Sequence, residues 1–249
     1  MAVCLIFMLY DRPETYGLPN IKEYKNEDVE EISGAPPSLK EQLQIMRYPA
    51  MWVVGFASFF NYVTRYGINS YGIIYLQETR NLNIYAAGLT IAVNTIPAAA
   101  GAALCGLISD RLFKSDRNKP MFLYGLLQII SLIGFFYLPK EYAVLSVVCL
   151  GFYGFAMGGT LAYLGGMIAI DLVPRKVAGA AMGFIGIISY MGASAEDWLS
   201  GHMLQKTTVA LAGGGFTHNY DKVILVWVGA SVVSLILSMT VWKAKVCKD

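Results

Sequence analysis

Residues 51–76 read MWVVGFASFFNYVTRYGINSYGIIYL, and this stretch decides the fold. It is long enough to cross the roughly 30 Å of bilayer hydrocarbon, which takes about 20 apolar residues, yet it carries Arg65 inside the span. A charged side chain in such a place costs on the order of 2.5–3.5 kcal/mol on insertion scales and marks a function. On a helix, Ser58, Asn61, Tyr62, Asn69 and Gly72 fall on the side of Arg65. Phe56, Phe60, Val63 and Ile74 take the opposite face, suited to lipid. A guanidinium beside amide and phenol groups is a planar, permanently charged clamp for an anion. The alternative is an arginine paired with a buried acid from another helix. No acid of this chain sits near mid-span, which favours the clamp.

Outward from this span, five more apolar runs reach the same length, at about 85–108, 121–138, 142–170, 177–200 and 222–242. The whole chain agrees with them. Of its 249 residues 56% are hydrophobic and 14% charged, and the mean hydropathy is +0.51. Soluble domains carry roughly 25% charged residues, so a water-soluble enzyme is excluded. A net charge of +2 gives no footprint for nucleic acid. Cys4, Cys105, Cys149 and Cys247 form no C-x-x-C, and with two histidines the chain shows neither a disulfide framework nor a metal site. No cofactor is expected. The sequence predicts an all-α integral membrane protein, a bundle of six transmembrane helices.

Residues 1–10 are apolar but too short to span, lack a basic leader and are followed by Asp11 and Arg12. They read as the tail of a preceding transmembrane helix in a longer protein. Residues 11–50 read as a cytoplasmic linker, and 51–249 as the six-helix unit. Within the linker, Pro36-Pro37 precedes Ser38-x-x-Glu41, a capping box for a short helix. Its apolar stripe of Leu39, Leu43 and Met46 suits either an interfacial helix or one lying on the protein. Lys and Arg set the orientation. The linker, the 109–119 loop (Arg111, Lys114, Arg117, Lys119), the turn at Arg175-Lys176 and the tail (Lys243, Lys245, Lys248) hold fourteen. The opposite side holds four: Arg80, Lys140, Lys206 and Lys222. The linker and the C-terminus are therefore expected in the cytoplasm.

Gly106-Leu107-Ile108-Ser109-Asp110-Arg111 opens the most basic of the loops. Gly106 is expected to allow a tight helix exit, and Asp110 to cap a neighbouring helix or pair with a base. This run resembles the loop signature of the major facilitator superfamily, in the copy between its eighth and ninth helices. Three further stretches sharpen the likeness. Asp11-Arg12-Pro13-Glu14-Thr15-Tyr16-Gly17-Leu18-Pro19 with Ile21–Asn26 is similar to the central loop of the organophosphate:phosphate antiporters. Arg65-Tyr66-Gly67-Ile68 resembles their seventh-helix arginine motif, and Leu172–Phe184, with Arg175, resembles their turn between the tenth and eleventh helices.

The resemblance implies the C-terminal half of a twelve-helix carrier in the plasma (inner) membrane. Such a carrier exchanges an organic phosphate, a sugar phosphate or glycerol-3-phosphate, for inorganic phosphate by alternating access. Its partners are these small molecules, the lipid bilayer and an N-terminal six-helix half. By the same resemblance Arg65 binds the phosphate together with an arginine of that other half, while Tyr62 and Tyr190 match family tyrosines at the site. Asn61 and Asn69 join them on the face of Arg65, and Gly106, Asp110, Arg111 and Arg175 form the cytoplasmic loop motif of the gate. Ser70, and Asn94 or Thr95, stand where the glycerol-3-phosphate branch has acids, which tells against that substrate. Two other readings stay open: a sugar-phosphate sensor of the same family, and a carrier of another organic anion. Glu196 and Asp197 read as a gate or as solvated residues at a helix end. Gly151, Gly154 and Gly158, and Gly179, Gly183 and Gly186, are spaced for close helix contacts, expected at the surfaces that slide when one half rocks against the other, and Pro97 for a kink.

Overall fold

The computed structural model describes Gly17 and residues 37–114, 116–210 and 216–241. The apolar tail at 1–10, most of the linker and the basic C-terminal tail lie outside the described residues. Ser38 caps the first helix, α1 (Leu39–Gln44): its Oγ accepts from the chain while Glu41 Oε2 accepts from the Ser38 amide at 2.8 Å, the capping box read from the sequence. The stripe of Leu39, Leu43 and Met46 is exposed, and the neighbouring Ile45 is buried instead.

α2 (Pro49–Arg80) has 32 residues, about 48 Å at helical rise. Pro49 starts it at the position where its missing N–H costs nothing. Asn81 ends it in the left-handed conformation (φ 55°), a common helix stop. The second predicted span is two helices, α3 (Ile84–Ala92) and α4 (Thr95–Phe113). Pro97 explains the break: without an N–H it cannot bond the carbonyl of Val93, and the helix restarts from Asn94. α5 (Asn118–Tyr137) and α6 (Ala143–Ala162) follow; α6 continues through a π turn at Tyr163–Met167 into α7 (Ile168–Asp171). A 3₁₀ turn at Arg175–Val177 leads to α8 (Ala178–Lys206), and α9 (Asp221–Thr240) closes the bundle. Between them a two-residue antiparallel ladder, β1 (Val209–Ala210) with β2 (Phe216–Thr217), is the one departure from all-α structure among the described residues.

Five stretches are long and apolar enough to cross a membrane: 84–113, 118–137, 140–171, 178–206 and 221–240. α2 is the sixth long helix, and Asn61, Arg65 and Asn69 lower its hydropathy. It packs most extensively on α8 and α9, while α6 packs on α4 and α5 and α9 reaches α5. Two apolar cores result, one around Met51, Val54 and Ala57, the other around Ile68, Tyr75 and Leu76. Between them α2 turns Ser58, Asn61 and Thr64 inward, all buried. Small residues permit the tightest crossings. A Cβ on Gly154 would lie 2.2 Å from the Asn94 carbonyl oxygen, and one on Gly158 1.9 Å from that of Ala98. The glycines of α8 differ: Gly179, Gly183 and Gly186 meet nothing within 4 Å among the described residues and lie on an open face of α8.

Gly106 also departs from expectation. It lies inside α4, which runs on to Phe113 and ends at Lys114 with φ 52°. The left-handed residue, and not the glycine, makes the exit, because the helix keeps its hydrogen bonds for two more turns.

Candidate functional site

Arg65 sits at the middle of α2, half-buried, with its guanidinium on a cluster of phenols. Its Cζ lies 5.6 Å from the centre of the Tyr62 ring and 5.9 Å from that of Tyr66. These distances are within reach of a cation–π attraction. Tyr62 and Tyr66, one helical turn apart, stack at 5.8 Å, and Tyr190 of α8 meets them edge-on at 5.4 and 6.4 Å. The rings hold the arginine's direction without neutralising it. Among the described residues Arg65 makes no ion pair, so the acid partner of the alternative reading is not found there.

On its other side Arg65 opens into a cavity of ≈ 130 Å³. Asn69 lines it from α2, Asn94 and Thr95 from the break between α3 and α4, and Tyr153 from α6. One full positive charge thus faces a mixed wall, in which these amides and hydroxyls alternate with the apolar side chains of Ala98, Met157 and Leu161. That is the chemistry of a site for an anion carrying further polar groups, because a buried cation gains most from a ligand that restores its lost solvation. Tyr190 is 59% exposed and Asn69 exposed, so the site faces out of the described bundle.

Asn61 is the site residue that the structure places elsewhere. It is 1% exposed, and its Oδ1 accepts from Gln128 Nε2 at 3.1 Å. Gln128 Nε2 also donates to Ser231 Oγ at 3.1 Å, and its Oε1 accepts from Thr160 at 3.1 Å, so one amide ties α2, α5, α6 and α9 together. The polar stripe of α2 is longer than the cavity. The turn before Arg65 is covered by α5 and α9, and helix packing takes its amide.

The loop motif stands apart from this site. Asp110 and Arg111 are exposed near the end of α4, and Arg175 opens the 3₁₀ turn before α8. Two ion pairs lie on that face: Lys119 Nζ meets Asp116 Oδ2 at 3.1 Å within the loop, and Arg117 Nε meets Asp171 Oδ2 at 2.9 Å, fastening the loop after α4 to the end of α7. Sequence reasoning missed both pairs. It missed Tyr66 as well, although a tyrosine four residues after Tyr62 is on the same helix face and signals the stack. Nothing local announced Tyr153, which the fold brings from 88 positions away.

The family profile described as Major Facilitator Superfamily matches residues 1–195. The chain is 29% identical over 203 residues to the membrane sensor protein UhpC of Escherichia coli, covering 80% of this chain and 46% of that protein. It is 30% identical over 200 residues to the glycerol-3-phosphate transporter of Bacillus subtilis, covering 78% and 45%. With the hexose-6-phosphate:phosphate antiporter of Escherichia coli it shares 30% over 189 residues, 73% of this chain and 40% of the relative. The chain therefore spans about half the length of the curated relatives it matches.

Proposed function

The chain belongs to the Major Facilitator Superfamily, as a multi-pass membrane protein with the six-helix bundle of one half of that fold, and we propose that it forms the C-terminal wall of an exchanger of organic phosphate for inorganic phosphate. The observation that carries this reading is the Arg65 guanidinium, without an ion pair among the described residues, held against Tyr62 and Tyr66 beside a cavity that Asn69, Asn94, Thr95 and Tyr153 also line. The phosphate-ester names of the relatives support the same substrate class.

The mechanism is electrostatic and involves no covalent step. Arg65 offers a planar fork that can hold two phosphate oxygens at once. The amides and hydroxyls of Asn69, Asn94, Thr95 and Tyr153 are placed to meet the remaining oxygens and the organic body. A cavity with uncompensated positive charge is costly to close away from water, and a bound anion removes that cost. Only the loaded carrier reorients, which makes the cycle an exchange. The open glycine face of α8 at Gly179, Gly183 and Gly186 is the surface offered to an N-terminal half. By the positive-inside bias the 109–119 loop and the linker face the cytoplasm of a cell whose plasma membrane holds the carrier.

Similarity to a membrane sensor favours a second reading, in which the same site detects a sugar phosphate and signals without moving it. Counterflow separates the two. Vesicles holding the complete carrier and loaded with inorganic phosphate should take up labelled hexose phosphate, and unloaded vesicles should not. Binding without counterflow would identify the sensor; neither binding nor counterflow would end the phosphate reading.

A further inference from the structure

Glu196 is a buried acid of the bundle that the Arg65 site does not use. α8 carries it into the contact with α2 and α9, where it is 1% exposed. Its Oε1 accepts the Ser200 hydroxyl at 2.5 Å and the indole N–H of Trp227 at 2.9 Å. An indole N–H can only donate, so Oε1 is held as an acceptor. Oε2 has no hydrogen-bond partner among the described residues. The position of Trp227 is itself fixed, because a Cβ on Gly67 would fall 2.2 Å from its Nε1.

The groups facing this carboxyl are neutral or acidic. α2 presents Tyr71, whose hydroxyl donates to the Asp197 carbonyl at 3.0 Å; α9 presents Trp227; α8 adds the exposed side chain of Asp197. The cations of these helices are engaged elsewhere or exposed: Arg65 on its tyrosines, Arg80 on the Leu138 carbonyl, Lys206 and Lys222 at the helix ends. Among the described residues none pairs with Glu196. An ionised carboxylate in this place is a buried charge without a counter-charge among the described residues, which is unfavourable even after relaxation.

We propose that Glu196 is a proton-binding site, in which Oε2 takes a proton from hydronium while Oε1 keeps its two donors. One O–H bond forms and one hydronium becomes water; the reverse step follows when the contact of α2, α8 and α9 opens and water can solvate the carboxylate. A proton is then a second ligand of this half of the carrier. Its site lies six residues along α8 from Tyr190, about 9 Å at helical rise, and does not depend on which anion Arg65 holds.

Infrared titration of the purified 249-residue chain in lipid vesicles tests this without any transport assay. The carbonyl band of a protonated carboxyl should be present at neutral pH, vanish in alkali and be missing from Glu196→Gln. Quenching of Trp227 fluorescence by iodide, in a chain whose other tryptophans are phenylalanine, should rise as that band vanishes. Ser200→Ala gives the second handle, for use if Glu196→Gln does not fold. It removes a donor that favours the ionised form, so the midpoint should move up by about one pH unit or more. A neutral-pH spectrum with no protonated carboxyl assignable to Glu196, or a midpoint unmoved in Ser200→Ala, would overturn the proposal.

Discussion

Arg65 acts through its shape as well as its charge. Arg65→Lys keeps the charge but replaces a planar fork with a point charge on a differently shaped stem. Losing one charge-assisted hydrogen bond costs about 1.5–3 kcal/mol, so phosphate affinity in the complete carrier should fall by roughly one to two decades, read by equilibrium binding. Tyr66→Leu should weaken binding less, by about 0.5–1 kcal/mol, the value of one cation–π contact. At this scale the sequence was legible wherever one helix held the information. The angular spacing on α2 put Tyr62, Asn69 and Arg65 on one side, and the structure keeps them there. It failed for Asn61, because angle alone does not say which neighbour covers a given turn. It could not reach Tyr153 or the Trp227–Glu196 contact, which depend on three-dimensional packing between distant helices.

Helix crossings are where glycine decides the outcome. Gly158→Ala would push a methyl group into the Ala98 carbonyl of α4, a backbone atom that cannot step aside. Overpacking of this kind costs about 1–3 kcal/mol, and thermal unfolding of the purified chain should show it. Gly183→Ala meets open space in the described bundle and should leave the unfolding temperature unchanged. If α8 slides against an N-terminal half at this face, Gly183→Ala should nevertheless slow exchange. The spacing of these glycines predicted close contacts for both sets. One set makes them and the other does not, since a small-residue stripe marks a close approach without saying which body approaches. The break between α3 and α4 was legible as a kink from Pro97. Its place, four residues earlier at the carbonyl left without a donor, follows from the same chemistry.

At the largest scale the prediction concerns sidedness, which is argued from the basic residues alone. In a background lacking the native cysteines, Lys119→Cys should resist an impermeant maleimide applied to intact cells, while Phe216→Cys should react. The reverse pattern would invert the topology. The long apolar helices were legible because membrane helices must be long, apolar and internally hydrogen-bonded, although the second predicted span is two helices and the fifth runs six residues further; the family was legible in the loop and Arg65 motifs. What the bundle does as a unit rests on whether Arg65 is there for an anion or for the fold. Binding of labelled inorganic phosphate to the purified complete carrier, wild type against Arg65→Ala, with helical content and unfolding temperature confirmed equal, measures this directly. Affinity lost by two decades or more in a folded Arg65→Ala protein is the predicted result; near-normal phosphate affinity in that protein would contradict the account.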